Sequence, residues 1–442
     1  MDEVNFLIWR YMQENEFPHS AYVFETEFLA DSTNINGSHI PPNALITLLQ
    51  KSLIYLKLEK SIKQARSSSD PKIQNEIQNI LSSFPNVEPT PASSEGVEVV
   101  NLASTHFNFF NGNSQSIECC SWSPNGTQFA TLESDGIATI WTRSNNFFDK
   151  IVIGTPESLK SRCPKSIGWN HDGSLLAVAT FTQTTIYTFR GDPISHISQG
   201  CSALQFNPRN NLLALCSIND YSISLWDVKL HQQPHLVENY QIHQDAILDI
   251  CWRDEGKFAT ASIDKSIGLF TVSGDKKILH SHSGPFISIS FSIDNSLFAT
   301  GCNDGSIHIW KDEREIQILK GHLNGITSID WNPKIPNIVA SASIDGSVKI
   351  WDAISGNCHC TFAHHTDGVS VMKWFKSGEF LVTGGNDGII AVWKMPEAKM
   401  VGAYANEGCV TCISIDPNCK DVIVCYDTST MVIIPCSELF KQ

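Results

Sequence analysis

Long apolar runs are missing from this 442-residue chain: no stretch approaches the roughly 18–20 consecutive apolar residues of a membrane span, and no membrane association is expected. The opening MDEVNF is acidic where a secretory signal needs a basic region, which argues against secretion. No GxxxxGK loop is present to cradle nucleotide phosphates. A positive surface is lacking as well. The formal net charge is −15, which argues against direct nucleic-acid binding, because grip on a phosphate backbone needs clustered Lys and Arg. The same acidity is compatible with a basic protein partner. Nor is there a compact disulfide framework: the 14 cysteines are scattered over a large chain and read as reduced thiols. What remains is a chain of ordinary apolar content, 42%, long enough for two or three domains or for one large repeat array with an appendage.

A repeat fills three-quarters of the chain. The segments NIVASASIDGSVKIWD, SLFATGCNDGSIHIWK and EFLVTGGNDGIIAVWK each join two short β-rich runs through an Asp-Gly turn, with Trp six residues after the Asp. The pairs are Asp135/Trp141, Asp220/Trp226, Asp264/Phe270, Asp304/Trp310, Asp345/Trp351 and Asp387/Trp393. A degenerate copy ends at Tyr187, and a last weak copy places Ile433 six residues after Asp427. The steps are roughly 40–45 residues, the period of a propeller blade of four strands. The Asp-Gly turns suit tight hairpins. Runs such as ITSIDWNP and CSALQFNP upstream of each turn read as innermost strands followed by a turn. Eight blades are therefore expected, with the segment near Val99 closing the ring as outer strand of the last blade and so removing an exposed edge.

These repeats resemble WD40 repeats. The resemblance implies a buried network in the sixth unit of His322, Ser341, Asp345 and Trp351. The fifth unit has His282, Asp304 and Trp310, with Thr300 in the serine position. The seventh has His365, Asp387 and Trp393, with Thr383 there; the fourth keeps His243 and Asp264 but ends in Phe270. Polar groups inside an apolar blade need such partners.

Recurrent Ser, His and Asp suggest nucleophilic catalysis, but one set per blade is the multiplicity of a structural device. Cys358, Cys360, His364 and His365 fall within eight residues, yet alternation along a strand separates them, so no zinc site is expected. Adjacent Cys119 and Cys120 point to opposite strand faces. No unrepeated polar set is legible in the central channel. The chain is read as a non-enzyme with no cofactor.

The amino-terminal stretch is helical in period. Phe6, Leu7 and Tyr11 recur at helical spacing, as do Ala21, Phe24 and Phe28 after a turn at EFPHS. Pro18 interrupts them and Ser20 is placed to cap the second helix. A third helix is predicted in PPNALITLLQKSLIYLKLEKSI, with Leu45, Leu48, Leu49, Leu53 and Leu56 on a wide face. So much apolar surface on about 60 residues implies self-association. The stretch resembles the LisH dimerisation motif at Leu7, Ile8, Tyr11, Met12, Phe17, Ser20, Ala21, Phe24 and Glu27. It departs from the motif at Glu16, where glycine is usual. Phe6, Leu7, Tyr11, Met12, Phe17, Ala21 and Phe24 form the expected oligomer interface. The domain reading is 1–62 helical module, 63–96 Ser/Pro-rich linker and 97–442 propeller.

The segment NINGSHIPPNALITLLQKSLIYLKLE, with LisH before it and eight blades after it, resembles the transducin β-like (TBL1-type) corepressor subunits. The linker is shorter than in those relatives. The resemblance implies a nuclear scaffold of histone deacetylase corepressor complexes. Its helical module would oligomerise and grip an amphipathic helix of an NCoR/SMRT-like corepressor. Its propeller would offer one face to partners, basic histone tails among them. A substrate receptor or adaptor of a LisH/WD40 ubiquitin ligase is the alternative. Blade geometry nominates Asn303, Asn324, Ile344, Asp367 and Asn386 as partner contacts on that face.

Overall fold

Alternating apolar residues and Asp-centred turns build each repeat as a twisted antiparallel sheet. In the sixth repeat, Ile326–Trp331, Ile338–Ser343, Val348–Asp352 and Cys358–Phe362 pair in chain order. The turn between the second and third strands needs its glycine twice over. Gly346 has φ +80, and a Cβ there would lie 3.1 Å from the carbonyl oxygens of His365 and Asp367 in the loop that enters the next sheet.

The computed structural model describes residues 99–102, 108–111, 116–144, 147–154, 166–280 and 284–439, all within the unit Glu88–Gln442. They form eight sheets, seven of four strands and one of five, spanning 117–153, 166–197, 201–240, 247–280, 286–319, 326–362, 369–405 and 410–435, with two short upstream strands added. We call these blades 1 to 8. The innermost strand of each blade packs on that of the next, and blade 8 packs on blade 1, so the ring is closed. All eight positions of the sequence repeat, from Trp141 through Tyr187 and Phe270 to Ile433, fall on third strands. The two degenerate copies are thus complete blades.

Closure differs from the sequence expectation. Asn108–Asn111 supplies the outer strand of blade 8, antiparallel to Thr430–Pro435. Val99–Asn101 instead runs parallel to Lys399–Ala405 as a fifth strand on blade 7. Each strand sits where its neighbouring side chain is best buried. Phe110 meets the Trp141 ring at 4.9 Å, and Leu102 enters a core with Val401, Tyr404 and Leu439. The apolar layers lie between neighbouring blades. Hydroxyls on the innermost strands stitch them together: Ser202 donates to the Ile247 carbonyl at 2.7 Å, Thr327 to Val369 at 2.6 Å, and Thr411 to Ile117 at 2.7 Å.

Candidate partner-binding faces and the central channel

The loop entering each innermost strand and the turn between second and third strands lie at the same end of a blade, so both belong to one face of the disc. In blade 6 this end is held by a relay. The Trp351 indole N–H donates to Ser341 Oγ at 2.8 Å, and Ser341 Oγ lies 2.8 Å from His322 Nε2. An indole can only donate, so the serine hydroxyl passes its own proton toward Nε2 and leaves His322 Nδ1–H to donate to Asp345 Oδ2, 3.0 Å away. Asp345 also accepts from the Leu323 N–H at 2.8 Å and from the Ser347 hydroxyl at 2.6 Å. Burial alone pushes the Asp345 carboxyl up, but these donors, His322 first, overcome it and hold it well below the usual carboxylate range. Desolvation pushes the His322 imidazole down against the pull of Asp345, so the ring is neutral at pH 7.

Blade 7 repeats the relay with threonine: His365 Nε2 lies 2.9 Å from Thr383 Oγ1, which accepts from the Trp393 N–H at 3.1 Å, and His365 Nδ1 lies 3.1 Å from Asp387. Blade 4 keeps His243, 2.7 Å from Thr260 and 3.1 Å from Asp264, but Phe270 has no donor to offer. In blade 5, Trp310 donates to Thr300 at 3.0 Å and Asp304 accepts from Ser306 at 2.5 Å; His282 lies outside the described residues. Blade 5 also contains a histidine that sequence reasoning missed. His308 Nε2 lies 3.1 Å from Ser306 Oγ, and Nδ1 lies 2.6 Å from Glu315. The signal was SIHIW where blade 6 has SVKIW, with a glutamate seven residues on. The expected LisH contacts Phe6, Leu7, Tyr11, Met12, Phe17, Ala21 and Phe24 lie outside the described residues.

The five nominated contact residues are all exposed and form an arc over blades 5 to 7. A Cβ on Gly325, next to Asn324, would lie 2.9 Å from Asn303 Oδ1. A Cβ on Gly368, next to Asp367, would lie 3.3 Å from both the Ile344 carbonyl and Asn386 Nδ2. Leu323, 74% exposed, and Ile344, 47% exposed, make the arc apolar at blade 6. Around them the face is acidic. Asp220, Asp245, Asp304, Asp367, Glu407 and Asp427 are exposed in these loops, and among the described residues Lys265 and Lys320 are the lysines there.

The central channel contains a polar set that the sequence reading did not find. Asp249, Asp330 and Lys373 come from the innermost strands of blades 4, 6 and 7. Asp249 accepts from the Ile289 N–H at 2.9 Å, and Asp330 from the Trp374 N–H at 3.1 Å, each bridging to the next blade. Burial raises both carboxyls above their usual range, while Asp330, with Asp249 behind it, raises the Lys373 ammonium. Lys373 opens onto the channel and balances two carboxylates that burial disfavours. A carboxylate raised in the fold binds more protons folded than unfolded, so stability falls as pH rises through that range. In Lys373→Met nothing offsets that fall. The urea midpoint of this variant should lie further below the parent at pH 8 than at pH 5; equal gaps would rule out a charge-balancing role.

Other thiol and imidazole groups are structural in setting. Cys360 is buried and its thiol is pushed up to about 12 by desolvation, while His359 between Cys358 and Cys360 is exposed. Cysteines of the described residues are free thiols, and no group of three or more His, Cys, Asp or Glu among those residues is arranged to hold a metal ion.

Comparison with known proteins agrees with this geometry. The LisH family model matches residues 2–27, and the WD domain, G-beta repeat model matches 104–142, 274–311, 313–352 and 356–394. The C-terminal WD40 domain of Sif2 superposes with a TM-score of 0.64 at 16% identity, covering 76% of this chain and 99% of that domain. Sqt1 of Chaetomium thermophilum, bound to the N-terminus of ribosomal protein L10, gives 0.65 at 16% identity over 74% and 98%. The protein is thus a LisH and WD40-repeat protein with an eight-bladed propeller. Among curated relatives, human F-box-like/WD repeat-containing protein TBL1Y is 25% identical over 86% of this chain and 88% of its own length. Mouse TBL1X is 26% identical over the same shares. LisH plus WD40 repeats, with these relatives aligned over most of the chain, support a likeness to the TBL1-type family.

Proposed function

We propose that this chain is a non-enzymatic scaffold subunit of a nuclear histone deacetylase corepressor complex, and that the acidic face of its propeller receives basic segments of protein partners such as histone tails. Residues 1–62 would self-associate and hold an amphipathic helix of an NCoR/SMRT-like corepressor. The observation that carries the reading is the face itself: the apolar pair Leu323 and Ile344 lies between exposed Asp304 of blade 5 and Asp367 of the loop entering blade 7, Asp427 of blade 8 adds to the acidity, and Lys265 and Lys320 are the opposing lysines among the described residues. Relatives named as a COMPASS component and as a histone-binding protein, both from budding yeast, are in keeping with chromatin work.

The test has two parts. A tagged chain purified from nuclear extract should bring down a histone deacetylase and a large corepressor. A RING-type ligase without a deacetylase would shift the assignment to a ubiquitin-ligase receptor. In addition, a histone H4 N-terminal peptide should bind the purified chain at least tenfold more weakly after Asp367→Lys with Asp427→Lys, and its affinity should fall with salt. An unchanged affinity would remove this face from the mechanism.

A further inference from the structure

Three thiols meet where the ring closes, and the scaffold reading makes no use of them. Cys120 lies on the innermost strand of blade 1, and Cys412 and Cys425 lie on the first and second strands of blade 8. Cys412 faces Cys425 across the strand pair of its own blade. Its Sγ stands 3.3 Å from that of Cys120 and also accepts the Cys120 N–H at 3.3 Å. Cys412 thus fills in blade 8 the place that Asp249 fills in blade 4, whose carboxylate accepts the Ile289 N–H of the next blade at 2.9 Å. Sulfur is a weak acceptor, so the thiol holds the joint less firmly than that carboxylate does. It also stands opposite a second thiol. A disulfide needs its sulfurs at about 2.05 Å, so the pair has to close by roughly 1 Å, within reach of a rotation about one Cα–Cβ bond. Cys120 and Cys425 are buried, whereas Cys412 keeps partial access to solvent. Cys120, then burial, push the Cys412 thiol well above its ordinary range, with Lys373 opposing them. At Cys120 the Cys412 contact pulls down, but Cys425 and burial outweigh it. Both groups therefore rest as thiols at pH 7, and the pair closes only under sustained oxidant.

We propose that Cys120 and Cys412 form an oxidative modification site: a peroxide joins them in a disulfide that clasps blade 1 to blade 8. The thiolate fraction of Cys412, the accessible member, attacks one oxygen of hydrogen peroxide. The O–O bond breaks, the sulfur becomes a sulfenic acid, and the departing hydroxide takes up the proton that the thiol released. The Cys120 sulfur then attacks the Cys412 sulfur, the S–O bond breaks, and the Cys120 proton leaves with the hydroxyl as water. Two thiols lose two electrons and two protons, and one peroxide becomes two waters. The bond joins residues 292 positions apart, so it closes nearly the whole propeller into one loop. A cross-link restricts the unfolded chain most when the loop it closes is long. Its position adds to the effect. Blade 8 combines Asn108–Asn111 with three strands from the far end of the chain, so the ring opens by losing non-covalent contacts at this joint. The disulfide withdraws that route. This inference rests on the joint of blades 1 and 8 and stands whatever partner the acidic face receives.

The test is treatment of the folded full-length chain with hydrogen peroxide, alkylation of the remaining thiols under denaturing conditions without reduction, and mass spectrometry of the proteolytic peptides. A peptide pair joined through Cys120 and Cys412 should appear, lighter by two hydrogens than its parts and split by dithiothreitol. Fragmentation separates Cys120 from adjacent Cys119, and Cys119→Ser should leave the pair in place. The oxidised parent should unfold at a higher urea midpoint than the reduced parent. Cys412→Ser should show one midpoint with and without peroxide. If that variant fails to fold, the parent's peptide map and its two midpoints decide the question alone. A bond from Cys425 to either partner in place of this pair would overturn the proposal. So would Cys120 and Cys412 both recovered as free thiols, Cys412 recovered only as sulfinic acid, or a parent midpoint unmoved once the bond has formed.

Discussion

Replacing Arg143 by methionine should cost the propeller about 3 kcal/mol and loosen the joint between its first and last blades. Arg143 lies on the third strand of blade 1, and its Nη2 sits 3.0 Å from Asp416 Oδ2 and 2.5 Å from Asp421 Oδ2, both in blade 8. The Asp416 side chain has no accessible surface, while Arg143 keeps 20%. The guanidinium also packs 5.0 Å from the Trp122 ring and 5.8 Å from Phe148. Methionine fills the aromatic slot but leaves a fully buried carboxylate unpaired, which is why the loss falls at the lower end of the roughly 3–5 kcal/mol expected for breaking a buried pair. The joint has little to spare. At other blade boundaries the inner-strand Trp donates to the preceding blade, as Trp169 does to the Ser121 carbonyl at 3.1 Å and Trp331 to Ser290 at 3.0 Å. Trp122 Nε1 has no such acceptor. Urea denaturation should show the lowered midpoint, with proteolysis beginning in the loops of blade 8. Arg143→Lys should recover part of the loss, because it restores the charge but not the planar guanidinium that packs on Trp122 and Phe148 while its Nη2 bridges the two carboxylates. A methionine variant within 0.5 kcal/mol of the parent would show that the pair is not what holds the ring.

Asp345→Ala should be as damaging, at about 3–4 kcal/mol, by a different route. It removes the acceptor from four donors at once: His322 Nδ1, the Leu323 N–H, and the N–H and hydroxyl of Ser347. The relay through Ser341 to Trp351 then loses its end, and the exposed Leu323 loop loses its anchor. The pH dependence gives a second readout. Asp264, Asp345 and Asp387 are all held below the ordinary carboxylate range, burial opposing and hydrogen bonds prevailing. His243 and His322 are lowered mainly by burial. A group lowered in the fold binds fewer protons folded than unfolded, so it adds stability above its unfolded pKa and loses it as pH falls. Parent stability should therefore decline from about pH 6.5, as the unfolded histidines take up protons, and fall more steeply below about pH 4. In Asp345→Ala the acid limb should be shallower. A parent curve flat between pH 7 and pH 4 would contradict the relay's protonation states.

Much of this architecture is written locally. The period-two alternation, the Asp six residues before an aromatic, and the Gly at the hairpin turn all act within one repeat, so each blade could be read from its own residues, down to Tyr187 and Ile433 in the degenerate copies. The His322 and His365 relays were readable through the resemblance to WD40 repeats, since the histidine before the inner strand and the Asp turn occupy fixed places in that repeat. His308 was within reach as well, because its partners lie two and seven residues away; it was missed because no repeat rule assigns a histidine there.

What only the tertiary structure decided depends on residues far apart in the chain. The sequence pointed to the segment near Val99 as the strand that closes the ring, whereas Asn108–Asn111 takes that place, with Phe110 meeting Trp141, and Val99–Asn101 runs parallel on blade 7. Arg143 reads as one more surface cation until the fold carries Asp416 and Asp421 to it. Asp249, Asp330 and Lys373 occupy unremarkable places in their own repeats and become a set because the ring turns their strands toward one axis. Local pattern determined the blades, and closing them into a ring determined which charges are buried together.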